Sequence, residues 1–412
     1  MPGFDTIAFT PDQRDQFAVN RLRDVVQRAL DGNAFYSQHL QTAGIKNSRD
    51  LSDLGSFSRL PFLGKEQLRD LYPLGLLSVP KEQVRRLHAS SGTSGKPTIS
   101  SYTEKDLSDW RFLMARALYH FGIRPGDVVL NTHGYGLFTG GLGVHAGAEV
   151  LGCSVIPSSS GHTLRQLQLI QDLEVNVIIG TPSYILTLAD EMERLNIDRQ
   201  RLKLRICGCG AEPWSESLRN EIESRLQVRA FDIYGLSEVL GPGVGSEVAD
   251  RQGELVIWED FFYPEFIDGE LVITTLTKEA MPLIRFRTGD LSQFTGRDFK
   301  GCRTIERIKG RADDMLKVKG VKLFPSQIEF LILQLPALSA HFAIELRPKG
   351  RMEDLLIKVE TRPGVEREAG VRAAEELRHS AKSLIGVGLQ VEIVAPNSLP
   401  RSEGKANRVT RG

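Results

Sequence analysis

Four short runs rich in β-branched and apolar residues, Asp127–Asn131 (DVVLN), Val175–Ile179 (VNVII), Leu204–Cys207 and Ala230–Ile233, each end in a turn containing glycine or proline. Between them lie helix-like stretches such as Leu164–Leu173 and Tyr184–Leu195. Short, mostly apolar strands of this kind suit a covered sheet, and the intervening helices can cover it. The alternation predicts an α/β architecture with covered mixed β-sheets flanked by helices.

Other segments frame this region. Phe17, Leu22, Val25, Val26, Ala29 and Leu30 recur near the 3.6-residue period and predict a surface helix within the first ~30 residues. Over Glu254–Thr275 two alternating runs, ELVIWED and ELVITTL, bracket FFYPEFIDG and predict antiparallel strands beside the main sheet. After Gly310 the pattern predicts a helix over Ser326–Leu335, strands near His341–Glu345 and Leu355–Glu360, a helix over Glu366–Leu384 and a strand over Leu389–Val394. That αββαβ unit suits a small mobile α+β domain, and 412 residues exceed one domain at ~150 residues each. The expected division is 1–310 and 311–412.

Composition excludes several classes of function. Lys+Arg and Asp+Glu both number 52, and a balanced charge speaks against a nucleic-acid or membrane-surface binder. Cys153, Cys207, Cys209 and Cys302 form no CxxC pair and no disulfide framework. No basic-then-apolar leader and no apolar run of ~18 residues is seen, so the chain reads as soluble and cytoplasmic.

His88–Pro97 (HASSGTSGKP) is the segment richest in anion-binding groups. Gly92 and Gly95 let backbone N–H groups turn toward an anion, Ser90, Ser91, Thr93 and Ser94 add donors, and Lys96 supplies positive charge for outer phosphates. It is not a Walker loop, because Ser90 stands where glycine is needed and Pro97 where Ser or Thr would hold magnesium. Another group must hold the metal. Tyr234–Glu238 (YGLSE) follows a predicted strand, where open α/β sheets bind ligands. There Tyr234 can stack on a base, Ser237 can donate to phosphate and Glu238 can ligate Mg²⁺. The competing reading makes GLSEV a helix start capped by Ser237. A serine-hydrolase elbow fails at Val239.

Arg287–Asp290 (RTGD), Gly310–Gly320 (GRADDMLKVKG) and Leu399–Val409 (LPRSEGKANRV) are each weak alone, but all five segments in this order are highly specific. The chain resembles the adenylate-forming superfamily of acyl-CoA synthetases, adenylation domains and luciferases, most closely its phenylacetate–CoA ligase branch. LPFLGKEQLRDLYPLGLL, GYGLFTGGLGVHAGAEVLGC, TPSYIL, GAEPW, YGLSEVLGPGV, IWEDFFYPE and LTKEAMPLIRFRTGDL carry the likeness from about Leu60 to Val409.

The resemblance implies roles. The Ser90–Lys96 loop would hold the β- and γ-phosphates of ATP, and Ala211, Glu212 and Pro213 would line the adenine pocket beneath Tyr234. Asp290 would accept from the ribose hydroxyls, and Arg307 and Arg311 would contact ribose or phosphate. Asp232, Gly235 and Ser237 would complete the nucleotide set. Asp313 would be the hinge, and Lys405 would reach the junction of acyl oxygen and α-phosphate; Lys405, Glu238 and Lys96 would be catalytic. Tyr135, Phe138, Gly141, Ala146, Cys209, Gly210, Leu240, Gly241 and Pro242 would line the acid site. ATP, Mg²⁺ and coenzyme A would be used, and this branch commonly forms homodimers.

Ala146 and Cys209 stand where the branch usually has larger aromatic residues, which implies an altered pocket for an aryl acid such as a benzoate or aminobenzoate. His133 and His145 flank the glycine-rich stretch, and His145 is either an interior histidine or an acid contact. Three rivals stay open: an NAD-dependent oxidoreductase, a non-catalytic nucleotide-binding module, and an adenylating enzyme that loads a carrier-protein thiol. The first is weakened because Gly134, Gly136 and Gly140 miss the Rossmann spacing at Thr139.

Overall fold

Along the parallel strands burial alternates between two cores. Val129, Val177, Ile179, Ile206 and Phe231 enter one, and Leu130, Ile178, Cys207, Cys209 and Ala230 enter the other. That period of two is the geometry of a strand covered on both faces. Helices Glu104–His120 and Thr139–Leu151 cover the first face. Helices Thr163–Asp172, Pro182–Arg194 and Glu216–Leu226 cover the second. The computed structural model describes residues 4, 8–90, 97–318, 321–349, 352–401 and 408–411.

Among the described residues, nine strands form the principal sheet. Their spatial order is Phe294–Phe299, Cys302–Glu306, Arg251–Ile257, Gly241–Val248, Arg229–Leu236, Ile206–Gly210, Val177–Gly180, Val128–Asn131 and Ser154–Ile156. From Arg229–Leu236 to Ser154–Ile156 neighbouring strands are parallel. The remainder are antiparallel. The chain leaves Val128–Asn131 for one neighbour, Ser154–Ile156, and returns on the other side as Val177–Gly180. Such a reversal opens a crevice at the carboxyl ends of the two inner strands, where doubly wound sheets bind ligands.

One local expectation needs correction, and one competing reading is excluded. ELVIWED does not lie beside the main sheet: Arg251–Ile257 is one of its strands. The bracketed FFYPEFIDG supplies a strand of its own, because Phe262–Ile267 pairs with Glu270–Thr275 in a second sheet with Phe286–Leu291 and Gly310–Arg311. Asp268 and Gly269, at φ 52° and 80°, make the two-residue turn, the Asp-Gly signal of a tight hairpin. Nor is YGLSE a helix start. The strand runs to Leu236, and Ser237–Leu240 turns it back into Gly241–Val248.

The elements expected after Gly310 are present as Pro325–Leu333, Leu338–Lys349, Met352–Thr361, Arg367–Ser380 and Leu389–Val394. A strand not foreseen, Val409–Arg411, pairs in parallel with Leu338–Lys349. These elements share their own apolar cluster, including Ile328, Ile344, Ile357 and Leu377. Polar pairs join them to the principal sheet's helices. Arg362 forks onto Glu221 at 2.7 and 2.8 Å, and His341 Nε2 lies 2.6 Å from Asp190 Oδ2. Glu329 accepts from Ser215 N and Oγ at 3.0 and 2.7 Å. Among the described residues no helix is long and apolar enough to cross a membrane.

Candidate active site

The hydroxyl-rich segment grows from a two-stranded hairpin, Arg86–Ala89 paired with Ile99–Tyr102. Ser90 N donates to Thr98 O at 2.9 Å, and Thr98 N donates to Ser90 Oγ at 3.0 Å, which draws the two ends of the loop together. Ser91, Gly92, Thr93, Ser94, Gly95, Lys96 and Lys405 lie outside the described residues.

Ser90 and Thr98 open onto a cavity of about 540 Å³ at the carboxyl edge of the parallel strands, within the ~300–1,000 Å³ of small-molecule sites. Each neighbouring strand end contributes: Thr132 and His133, Thr181, Gly210 and Ala211, Gly235 and Leu236. The Thr139–Leu151 helix adds Gly140 and Val144, the Ser237–Leu240 turn adds Ser237 and Glu238, and the next strand adds Pro242. Arg311, on the last strand of the second sheet, and Asp313 and Asp314 just after it complete the lining. The principal sheet's switch point is therefore roofed by segments far apart in sequence.

Of the residues singled out from sequence, Ser90, Phe138, Gly210, Ala211, Gly235, Ser237, Glu238, Pro242, Arg311 and Asp313 line this cavity. Ala211 is held at φ 70°, a strained position for a side chain with a Cβ and one that clusters at functional sites. Asp290 sits beside Arg311 in strand register and 3.9 Å from its guanidinium. Tyr234 donates its hydroxyl to Asp290 Oδ2 at 2.6 Å, which couples two residues expected at base and ribose. Arg307 stacks over Trp214 at 4.8 Å. Its buried Nε and Nη2 make no hydrogen bond among the described residues, as suits donors reserved for a ligand. Glu212 accepts from Ser183 N at 2.8 Å, and Pro213 beside it is exposed. Asp232 is buried.

Several expected acid contacts lie elsewhere. Cys209 points into the core beneath the Pro182–Arg194 and Glu216–Leu226 helices, where burial pushes its thiol pKa up. Leu240 belongs to the opposite core. Ala146 is half-buried on the Thr139–Leu151 helix and Val144 faces the cavity instead. Gly141 accepts through its carbonyl from Asn131 Nδ2 at 2.8 Å, and Gly241 opens a strand against Trp110. Tyr135 pairs with Asn131 at 2.8 Å and with His145 Nδ1 at 3.1 Å, so His145 serves the loop from within. A helix or strand pattern names the faces but not which face meets the cavity.

Other cavity residues had no role assigned from sequence. His133 lines the cavity, and burial pulls its pKa down to about 4, which leaves a neutral imidazole at pH 7. Lys65 and Arg69 bring positive charge. Leu63 N donates to Arg285 O at 3.1 Å and Leu63 O accepts from Arg287 N at 2.8 Å, which delivers Lys65 to within 4.0 Å of Asp313. A lysine in a helix's first turn carries no such message in sequence.

Glu238 is the carboxylate most suited to a cation. Burial raises its pKa, against the opposing charges of Lys278 and Arg69, and a desolvated carboxylate gains most from a divalent partner. Mg²⁺ keeps several waters and takes substrate phosphate oxygens beside one or two carboxylates.

A family model described as AMP-binding enzyme matches residues 60–255, and one described as AMP-binding enzyme C-terminal domain matches 320–411. The chain is 45% identical over 415 residues to the phenylacetate-coenzyme A ligase of Aromatoleum evansii, covering 97% of this chain and 94% of that one. Among solved structures it resembles 2-hydroxyisobutyryl-CoA ligase in the postadenylation state with an acyl-AMP. The TM-score is 0.91 at 26% identity, over 98% of this chain and 91% of that one. Against the same ligase with CoA in the thioesterification state the TM-score is 0.71 at 27% identity, over 100% and 94%.

Proposed function

The chain belongs to the AMP-binding enzyme family, in the phenylacetate–CoA ligase branch of the adenylate-forming superfamily, and from that premise we propose how its cavity activates an aromatic carboxylate. It is an AMP-forming aryl-acid–CoA ligase that uses ATP, Mg²⁺ and coenzyme A. The observation that carries the site assignment is the meeting, in one cavity, of the hairpin loop's base at Ser90 and Thr98, the Ser237–Glu238 turn and Arg311–Asp313.

A free carboxylate does not acylate a thiol, because oxide and hydroxide are poor leaving groups. Its oxygen attacks the α-phosphorus of ATP, the bond to the bridging oxygen breaks, and pyrophosphate departs. The CoA sulfur then attacks the acyl carbon of the adenylate, its proton is lost, and AMP leaves with the electron pair. Little covalent work falls to the protein, so placement and charge neutralisation supply the rate.

In this reading the Ser90–Lys96 loop cradles the outer phosphates, and Asp290, oriented by Tyr234 and Arg311, accepts from the ribose. Ala211, Glu212 and Pro213 bound the base, with Asp232 and Gly235 behind them and Arg307 at ribose or phosphate. Phe138, Gly210 and Pro242 meet the aryl group, joined by Val144, Ile233 and neutral His133. Glu238 would hold Mg²⁺, whose charge neutralises phosphate oxygens. Residues 1–310 form the large domain and 311–412 the small one, which turns near Asp313 and carries Lys405. A homodimer in the cytoplasm belongs to the same proposal.

Pyrophosphate release measured over phenylacetate, benzoate, aminobenzoates, cinnamates and fatty acids, with CoA present, tests the reading. Turnover should concentrate on the aryl acids, and activity confined to long-chain fatty acids would refute it. Offering a carrier-protein thiol in place of CoA separates the neighbouring alternative. Lys405→Ala should abolish ATP–pyrophosphate exchange and spare CoA transfer from a supplied acyl adenylate. Equal loss of both half-reactions would remove Lys405 from its assigned role.

A further inference from the structure

Ser237–Leu240 is a turn whose four successive carbonyls all accept from side chains outside it. Ser237 O takes Ser100 Oγ at 2.6 Å and Tyr102 Oη at 3.3 Å. Glu238 O and Val239 O share Lys278 Nζ at 3.0 and 2.9 Å. Leu240 O takes Tyr102 Oη at 2.9 Å. An isolated turn at a sheet edge would satisfy these oxygens with water, and here protein donors have replaced it.

Lys278 is 2% exposed, and an ammonium that deep is costly unless its donors are engaged. It spans the two carbonyls and lies 4.8 Å over the Tyr102 ring, a cation–π contact strengthened by burial. Tyr102 in turn stacks on Trp110 at 5.3 Å. The segment bearing Lys278 is pinned by Asp106, whose two oxygens accept from Glu279 N and Ala280 N at 2.7 and 3.0 Å. Ser100 and Tyr102 sit on the strand that leaves the hydroxyl-rich loop.

We propose that Lys278, Tyr102 and Ser100 are positioning residues that fix the backbone of the Glu238 turn, and with it the cation ligand, relative to the hairpin that carries Ser90 and Thr98 at its end. None of the three lines the cavity, and each acts through the backbone of Glu238 and its neighbours. The inference rests on Glu238 as the Mg²⁺ ligand. It is specific to adenylation, because the thioester step needs no phosphate-bound cation.

The test uses the full-length enzyme with Tyr102→Phe, Ser100→Ala, Lys278→Arg and, as a control, Glu238→Gln. Three quantities are read: the Mg²⁺ concentration giving half-maximal pyrophosphate exchange, Mn²⁺ binding with ATP and no acid by electron paramagnetic resonance, and thioester formation from a supplied aryl adenylate. Tyr102→Phe and Ser100→Ala should each raise the Mg²⁺ midpoint about five-fold or more and weaken Mn²⁺ binding in parallel. Their thioester step should stay within about two-fold. Should Lys278→Arg fail to fold, these two variants decide the matter. A parallel fall of both half-reactions at an unchanged metal midpoint, or no change at all, overturns the proposal. If Glu238→Gln itself leaves the metal midpoint untouched, the underlying assignment of Glu238 fails. If only the control moves it, the positioning claim fails alone.

Discussion

Asp232 shows how one buried residue ties the site to stability. Burial raises its pKa to about 6 from 3.8, with Glu247 adding to the shift and Arg307 and Arg219 opposing it. Its neighbours form a buried charged set, with Arg219 paired to Glu247 and Glu247 accepting from Asp232 N at 2.8 Å. A carboxyl whose folded-state pKa exceeds its unfolded value binds protons more tightly when folded. Stability therefore falls as pH rises from about 4 to 6, and the cost is fully present above that window. Asp232→Asn removes the charge and keeps the shape, so its melting temperature relative to wild type should climb between pH 4 and pH 7. A difference that is flat across this range would show that the carboxyl does not titrate there. Sequence named Asp232 only through a resemblance, because no local pattern reveals a neighbour such as Arg307, 75 positions on.

At the scale of elements, the Thr139–Leu151 helix forms a wall of the cavity and is set by glycines. A Cβ on Gly147 would overlap Met114 Cβ and come within 3.0 Å of the Ala115 backbone nitrogen, so the helix approaches Glu104–His120 more closely than alanine permits. Intrinsic propensity favours alanine by roughly 0.5–1 kcal/mol, but overpacking against backbone costs about 1–3 kcal/mol and should win. Gly147→Ala is expected to lower the urea midpoint by an amount worth about 1–2 kcal/mol and to raise KM for the acid, because Gly140 and Val144 move with the helix. Gly136→Ala, with nothing within 4 Å of its added Cβ, should change neither. The glycine-rich stretch was legible as a motif. That Gly147 serves packing while Val144 lines the cavity became visible only once two helices were placed together.

At the scale of the molecule, polar pairs and the packing of Ala340 and Leu333 on the second core tie the C-terminal elements to the principal sheet's helices, beside a cleft of about 230 Å³ that includes Ser183, Thr187, His341 and Arg401. The Arg362–Glu221 fork is one-third exposed on the arginine side, so it is worth about 1 kcal/mol or less. That is enough to bias the two-position equilibrium proposed above by up to about five-fold. Arg362→Ala should slow pyrophosphate exchange two- to five-fold and leave thioester formation from a supplied adenylate unchanged. Stopped-flow measurement of each half-reaction checks this, and equal slowing of both would assign the pair to general stability. Sequence alone determined the local order of elements, the covered mixed sheets and the chemistry of the motifs, because periodicity and turn residues act over a few positions. Only the tertiary structure decided which faces meet, that ELVIWED belongs inside the main sheet, and that Lys278 reaches back to residue 238. Those outcomes depend on burial shared between distant segments, which no stretch of chain encodes by itself.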